Sequence, residues 1–207
     1  MFKGTPETVA QRRDEIVAAC EQLYQTMSFK DITLKEISSV TSFSRPTIYN
    51  YFQTKEEIFL ALFEREYDRW NEDLEKILSS DKAFSRTELA EHIAKSLESR
   101  KQLLKLLSMN NYDMEENSRE ELLASFKRAY GKSLKLFREI LRKHISGMSD
   151  AEVEQIMYVF FPFMFGIYPY AEVTAKQKDA MKEAGVDYRY QTICEITYNC
   201  LIRLLKN

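Results

Sequence analysis

The chain has 207 residues, 44% of them hydrophobic and 30% charged, with a formal net charge of −2, so it can bury a sizeable core and divide into a small unit and a larger one. Five Gly and four Pro point to a mostly helical chain, and Cys20, Cys194 and Cys200 are too scattered to expect a disulfide framework or a zinc site. His92 and His144 stand apart from any Cys or other His, no catalytic set is recognisable, and no cofactor or metal is expected. With no apolar run of signal-peptide type at the N-terminus, a reduced, cytoplasmic setting is the expectation.

In chain order, the first informative block is Asp31 to Glu57, DITLKEISSVTSFSRPTIYNYFQTKEE. Thr33 with Glu36 three residues on predicts a capping box, and Leu34, Ile37 and Val40 mark one apolar face. Thr41, Ser42 and Phe43 break that pattern. Ser44 is then expected to cap a second helix, in which Pro46 costs little because first-turn amides have no intrahelical partner. Ile48 and Phe52 form its inner side, leaving Arg45, Thr47, Asn50 and the phenols of Tyr49 and Tyr51 to face outward or flank the seam. Such donors and acceptors suit base edges and phosphates. Thr54 with Glu57 caps the next helix. Over residues 1–55, seven basic groups, Lys3, Arg12, Arg13, Lys30, Lys35, Arg45 and Lys55, face six acidic ones. That balance argues against a nonspecific polyelectrolyte binder and for a reader that works by geometry.

The block resembles the N-terminal domain of the TetR family of transcriptional repressors. The residues carrying the resemblance are Thr33, Ile37, Ser38, Ser44, Arg45, Thr47, Ile48, Tyr49, Tyr51, Phe52, Lys55, Glu56 and Glu57, and it extends back through RRDEIVAACEQLYQTMSFKDIT. It implies a three-helix DNA-binding domain over residues 1–54 and a larger helical ligand-binding and dimerisation domain over 55–207. It also implies that Arg45, Thr47 and Asn50 approach the major groove, that Thr33 and Lys55 lie near phosphates, and that Tyr49 and Tyr51 contact phosphate, with Ser44 and Pro46 opening the reading helix. There are two departures from the family pattern, one in the turns and one in the reading helix. Ser28 and Ser42 stand where its turns carry Gly, and Pro46 stands where a small residue is common. A left-handed Ser would cost about 1 kcal/mol, so these turns are either strained or shaped differently.

Further along, Phe59, Phe63, Tyr67, Trp70, Leu74 and Leu78 stripe one long helix leaving the reader, suited to transmit motion. Leu89, Ile93 and Leu97, then Leu103 to Leu107, predict two shorter helices, and Leu122, Phe126, Tyr130, Phe137 and Leu141 another long one. Capping boxes are expected at Ser85–Glu88, Ser118–Glu121, Ser149–Glu152 and Thr174–Gln177. Asn110 to Asn117 reads as the least regular connection. Ile156 to Ala171, IMYVFFPFMFGIYPYA, is sixteen residues without a charge, too short and too interrupted by Pro162, Gly166 and Pro169 for a membrane span. It predicts a helix buried on more than one side. In the last helix, Ile193, Thr197, Cys200 and Leu204 line one face and Cys194, Tyr198, Leu201 and Leu205 an adjoining one. Two doubly buried helices fit a partner subunit, and the resemblance implies a homodimer through these last two long helices.

The resemblance also implies a small-molecule effector, for which Met109, Tyr112, Phe126, Tyr130, Phe160, Met164 and Tyr168 are the candidate lining. The reading is thus an all-α homodimeric regulator, a repressor that binds a palindromic operator in double-stranded DNA and leaves it on binding a ligand. The alternative is a protein of the same fold that serves protein interaction and no longer reads DNA.

Overall fold

The computed structural model describes residues 5–109 and 111–206; Lys3 and Asn110, which figure in the sequence reading, lie outside them. Among the described residues there are eleven α-helices and no strand. They are α1 (Pro6–Thr26), α2 (Leu34–Ser39), α3 (Arg45–Ile48), α4 (Lys55–Ser79), α5 (Arg86–Glu98), α6 (Lys101–Leu107), α7 (Asn111–Glu116), α8 (Glu120–His144), α9 (Asp150–Ala171), α10 (Ala175–Glu183) and α11 (Ile193–Leu204). The chain forms two compact units, one of Met1–Glu66 with Asn110–Tyr130, the other of Tyr67–Met109 with Gly131–Asn207. No single helix among the described residues is long and apolar enough to cross a membrane.

In the first unit, Ile16, Cys20 and Tyr24 of α1, Ile37 of α2, Ile48 of α3 and Phe59 and Phe63 of α4 are buried together with Phe52. Aromatic pairs tie the elements: Phe59 meets Tyr24 at 5.2 Å and Phe29 at 4.7 Å between centroids, both edge-to-face, and Phe63 meets Phe126 of α8 at 4.8 Å with tilted rings. In the second unit α11 packs on α5 and α9, and α6 packs on α9. Phe137 lies on Phe160 at 4.9 Å and edge-on to Phe161 at 5.6 Å, while the Trp70 indole N–H donates to Ser96 Oγ at 3.1 Å.

Local signals set most helix starts. Ser85–Glu88, Ser149–Glu152 and Thr174–Gln177 form reciprocal capping boxes, and so does Thr192–Glu195, a Thr-x-x-Glu pattern that the sequence reading passed over. Ser118–Glu121 is a correction: Ser118 Oγ donates back to the Met114 carbonyl at 2.6 Å, and α8 starts after Arg119, whose backbone N–H goes to Glu57. Residues 111–116, expected to be irregular, form the short helix α7.

Helix α9 runs unbroken through Pro162 and Pro169, and it is not buried all round. Ile156, Phe160, Met164 and Ile167 turn inward, whereas Tyr158 (79% exposed), Pro162, Phe165 and Pro169 form an outward stripe at i, i+4, i+7 and i+11. In α11 the buried line is Ile193, Thr197 and Leu201, which draws two residues from the first expected face and one from the second; Cys200 and Leu204 are half-buried.

Candidate nucleic-acid interface

Three short pieces of α1, α2 and α3 make the candidate reading head. α2 opens at Thr33 without the expected reciprocal box: the Thr33 hydroxyl accepts from the Lys35 N–H at 3.2 Å rather than from Glu36, and meets the Glu36 carboxylate side chain to side chain. α3 has only four residues, and Ser44 caps it differently from the expectation: its carbonyl accepts from Thr47 and Ile48, while its hydroxyl pairs with the Thr47 hydroxyl at 2.9 Å. One further turn carries the chain to Phe52, whose N–H reaches the Ile48 carbonyl at 3.0 Å, so Ile48 and Phe52 share the inner side.

The turns close without a left-handed residue: among the described residues no non-glycine has a positive φ. Around Ser42, the Glu15 carboxylate of α1 accepts both the backbone N–H at 3.0 Å and the hydroxyl at 2.8 Å. These bonds hold the Glu15 carboxyl below its ordinary range, the backbone bond most of all. At the other turn, Ser28 Oγ donates to Asp31 Oδ2 at 2.5 Å and the Ser28 carbonyl accepts from Asp31 and Ile32. Lys55 Nζ closes it from α4, donating to the carbonyls of Phe29 at 2.9 Å and Ile32 at 3.3 Å and lying 4.1 Å from the Phe29 ring centroid.

The candidate DNA-binding residues therefore separate. Thr33, Ser44, Arg45, Pro46, Tyr49 and Asn50 are exposed, and Thr47 is half-buried. Together they offer a guanidinium, an amide, a phenol and several hydroxyls on and around α2 and α3, the chemistry that hydrogen-bonds base edges and phosphates. Tyr51 is inside, 4% exposed, with its ring 6.3 Å from Phe43 and its hydroxyl accepting from Arg12 Nη1 at 3.1 Å. Lys55 is half-buried on the carbonyls just described.

Three groups that shape this head were not singled out in the sequence: Arg12, Glu15 and Arg65. Arg65 of α4 ties α1 by Nη1 to Glu21 at 3.0 Å and Nη2 to Asp14 Oδ1 at 2.6 Å. Their partners are 27 to 51 residues away, beyond any local spacing rule.

The candidate effector residues lie in both units. Tyr112 is 83% exposed, Phe126 is buried against Phe63, and Tyr130 is half-buried, all three in the first unit. Met109, Phe160, Met164 and Tyr168 belong to the second, with Phe160 and Met164 fully buried on α9. Burial pushes the Tyr168 phenol up, keeping it neutral. Two concavities of the second unit have other linings. One of about 380 Å³ is lined by residues including Arg86, Glu152 and Arg203, and one of about 360 Å³ by residues including Tyr170, Met181 and Tyr188. Among the described residues no group of three or more His, Cys, Asp or Glu is placed to hold a metal ion.

Two family models match the chain: bacterial regulatory proteins of the tetR family over residues 16–62, and the tetracyclin repressor-like C-terminal domain over 64–189. Similar solved structures include a putative TetR-family transcriptional regulator from Mesorhizobium loti, with 15% identity, 98% of each chain covered and a TM-score of 0.65. The fatty acid degradation regulator FadR of Bacillus halodurans has 15% identity over 99% of this chain and 97% of its own, with a TM-score of 0.60. Thermus thermophilus FadR, a TetR-family transcriptional repressor solved with lauroyl-CoA, has 20% identity over 94% and 93%, with a TM-score of 0.58. At such identities the likeness is one of fold. No curated protein matches the chain.

Proposed function

We propose, on the premise that this chain belongs to the TetR family of non-enzymatic, DNA-binding transcriptional regulators, that it is a cytoplasmic repressor acting as a homodimer on a two-fold-related operator. The observation that carries the reading is the exposed set Ser44, Arg45, Tyr49 and Asn50 around α3, presented by turns that α1 and α4 brace with Glu15 and Lys55. Arg45 and Asn50 can each offer paired hydrogen bonds to a base edge, and Tyr49 and Thr33 can meet phosphate. Tyr51 and Lys55 act chiefly by holding this surface in place.

The dimer is supported by the outward apolar stripe Tyr158, Pro162, Phe165 and Pro169 on α9, an arrangement that a second copy can cover symmetrically. For the effector we propose a small, largely apolar molecule. Phe160, Met164 and the neutral phenol of Tyr168, on successive turns of α9, are its proposed contacts, and the lauroyl-CoA bound by the Thermus relative makes an acyl thioester the first probe. The alternative of a protein-interaction module that no longer reads DNA drew on Ser28 and Ser42 and on the weak basic charge of the N-terminal region; the turns close without backbone strain, which removes the first of these grounds.

Selection from a random duplex library tests the reading. Half-site centres about 10 base pairs or a multiple apart are expected, and no enrichment at low salt would overturn it. Arg45→Ala should change which bases are preferred, whereas a uniform loss over all sequences would remove Arg45 from base reading.

A further inference from the structure

The corner between α7 and α8 grips the end of the reading head. Arg119 donates from Nε to Glu57 Oε1 at 2.7 Å and from Nη2 to Glu57 Oε2 at 2.9 Å, and Nη2 also lies 3.2 Å from the Tyr51 carbonyl. The same carboxylate accepts the Arg119 backbone N–H at 3.2 Å and the Gln53 N–H at 2.7 Å. Beside it, the Thr54 hydroxyl donates to the Asn117 carbonyl at 3.0 Å. Glu57 is 1% exposed, so both its oxygens are spent on this one junction. Burial alone would raise its carboxyl; the bonds from Arg119 and Gln53 outweigh that and leave it below the ordinary range.

The geometry points to Arg119 as a positioning residue for DNA reading, which with Glu57 latches the turn from Tyr51 to Gln53 directly behind α3. Two facts make this more than a stabilising pair. The partners are 62 residues apart, and Arg119 lies within the stretch matched to the C-terminal domain although it packs in the compact unit of the reader. The latch is also close to two-state. A buried carboxylate without its guanidinium is strongly disfavoured, so a shift of the 117–119 corner releases the turn rather than stretching it. The turn carries Tyr51, whose hydroxyl holds Arg12 and whose neighbours Tyr49 and Asn50 are exposed, so unlatching lowers the fraction of heads able to bind.

This inference rests on the proposal that α3 presents the DNA-contacting surface, and one arm of its test does not. The full-length chain, Arg119→Met, and the double variant Glu57→Gln with Arg119→Met are compared. The double variant keeps an acceptor for Gln53 without a buried unpaired charge, so it folds even where the single change does not. On the duplex selected by the wild type, the double variant should bind about tenfold more weakly or worse, with unchanged base preference and an unchanged slope of log affinity against log salt, because no phosphate contact is lost. Amide exchange at Tyr49 to Gln53 should quicken while α9 and α11 keep their protection. Binding within about twofold of wild type would overturn the proposal, as would a shallower salt slope, which would put Arg119 on a phosphate. Unchanged exchange in the turn would also overturn it, and so would loss of protection throughout, the mark of a merely structural pair. A wild type that selects no duplex would sink the DNA reading, and the exchange arm would still decide the latch.

Discussion

Where α1 meets α4, Arg65 reaches Asp14 and Glu21 across 51 and 44 residues of sequence, and Glu15 reaches across 27 to hold Ser42. Where α8 meets α9, the centre of the contact is aromatic, Phe137 lying on Phe160 with Phe161 edge-on, and the ion pairs Arg138–Glu154 and Arg142–Asp150 stand at its more exposed margin. The reader has small helices, α2 of six residues and α3 of four, too short to be stable alone, and charged or main-chain hydrogen bonds aim them. In the second unit α5, α9 and α11 are longer, begin with their own capping boxes and bury largely apolar faces, aliphatic in α5 and α11 and partly aromatic in α9, so buried area does most to set their packing. A surface that must meet base edges needs direction, and directed bonds supply it at a cost in stability if a partner is lost.

The contrast can be broken first where the effect is largest. Phe160→Ala removes a fully buried ring stacked on Phe137 and should cost roughly 3–5 kcal/mol, seen as a lower denaturation midpoint that barely depends on salt. A loss under about 1 kcal/mol would mean that the second unit is not held by that aromatic cluster. Next comes Arg65→Met, which keeps the apolar stem and removes the ties to Asp14 and Glu21. Because Arg65 and Glu21 are mostly buried while Asp14 is exposed, about 1–2 kcal/mol is expected, with amide protection falling in α1 and not in α9. Equal loss in both helices would erase the distinction between the units.

The same contrast explains what the sequence made legible. Helix order, the stripe from Phe59 to Leu74, three of the five expected capping boxes and the inner pair Ile48 and Phe52 were readable, because each depends on spacings of three or four residues. Ser118 was misread because its hydroxyl had a competing local acceptor, the Met114 carbonyl, and Arg119 had taken the helix start to Glu57. The exposed members of the reading set followed from the motif. What could not be read was which of its aromatic and basic residues turn inward: Tyr51 and Lys55 answer to Arg12, Phe29 and Ile32, partners fixed only once α1 has packed.

The smallest expected effect is the most selective. Glu15 is largely exposed, so its bonds to Ser42 are worth no more than a few tenths of a kcal/mol, yet they replace the glycine that a turn of another shape would need. Its folded carboxyl sits below the ordinary value of 4.5, so its contribution is complete above that value and is lost as pH falls through the folded one. Amide protection at Ser42 should therefore weaken as the solution is taken below about pH 4.5, and Glu15→Gln, which keeps an acceptor but cannot ionise, should flatten that dependence. If the wild type and Glu15→Gln lose protection in parallel, the carboxylate does not hold the turn. The shape of the turn would then follow from the burial of Ile16, Ile37 and Ile48 in the helices around it, and the reader would be built by the same apolar rule as the second unit.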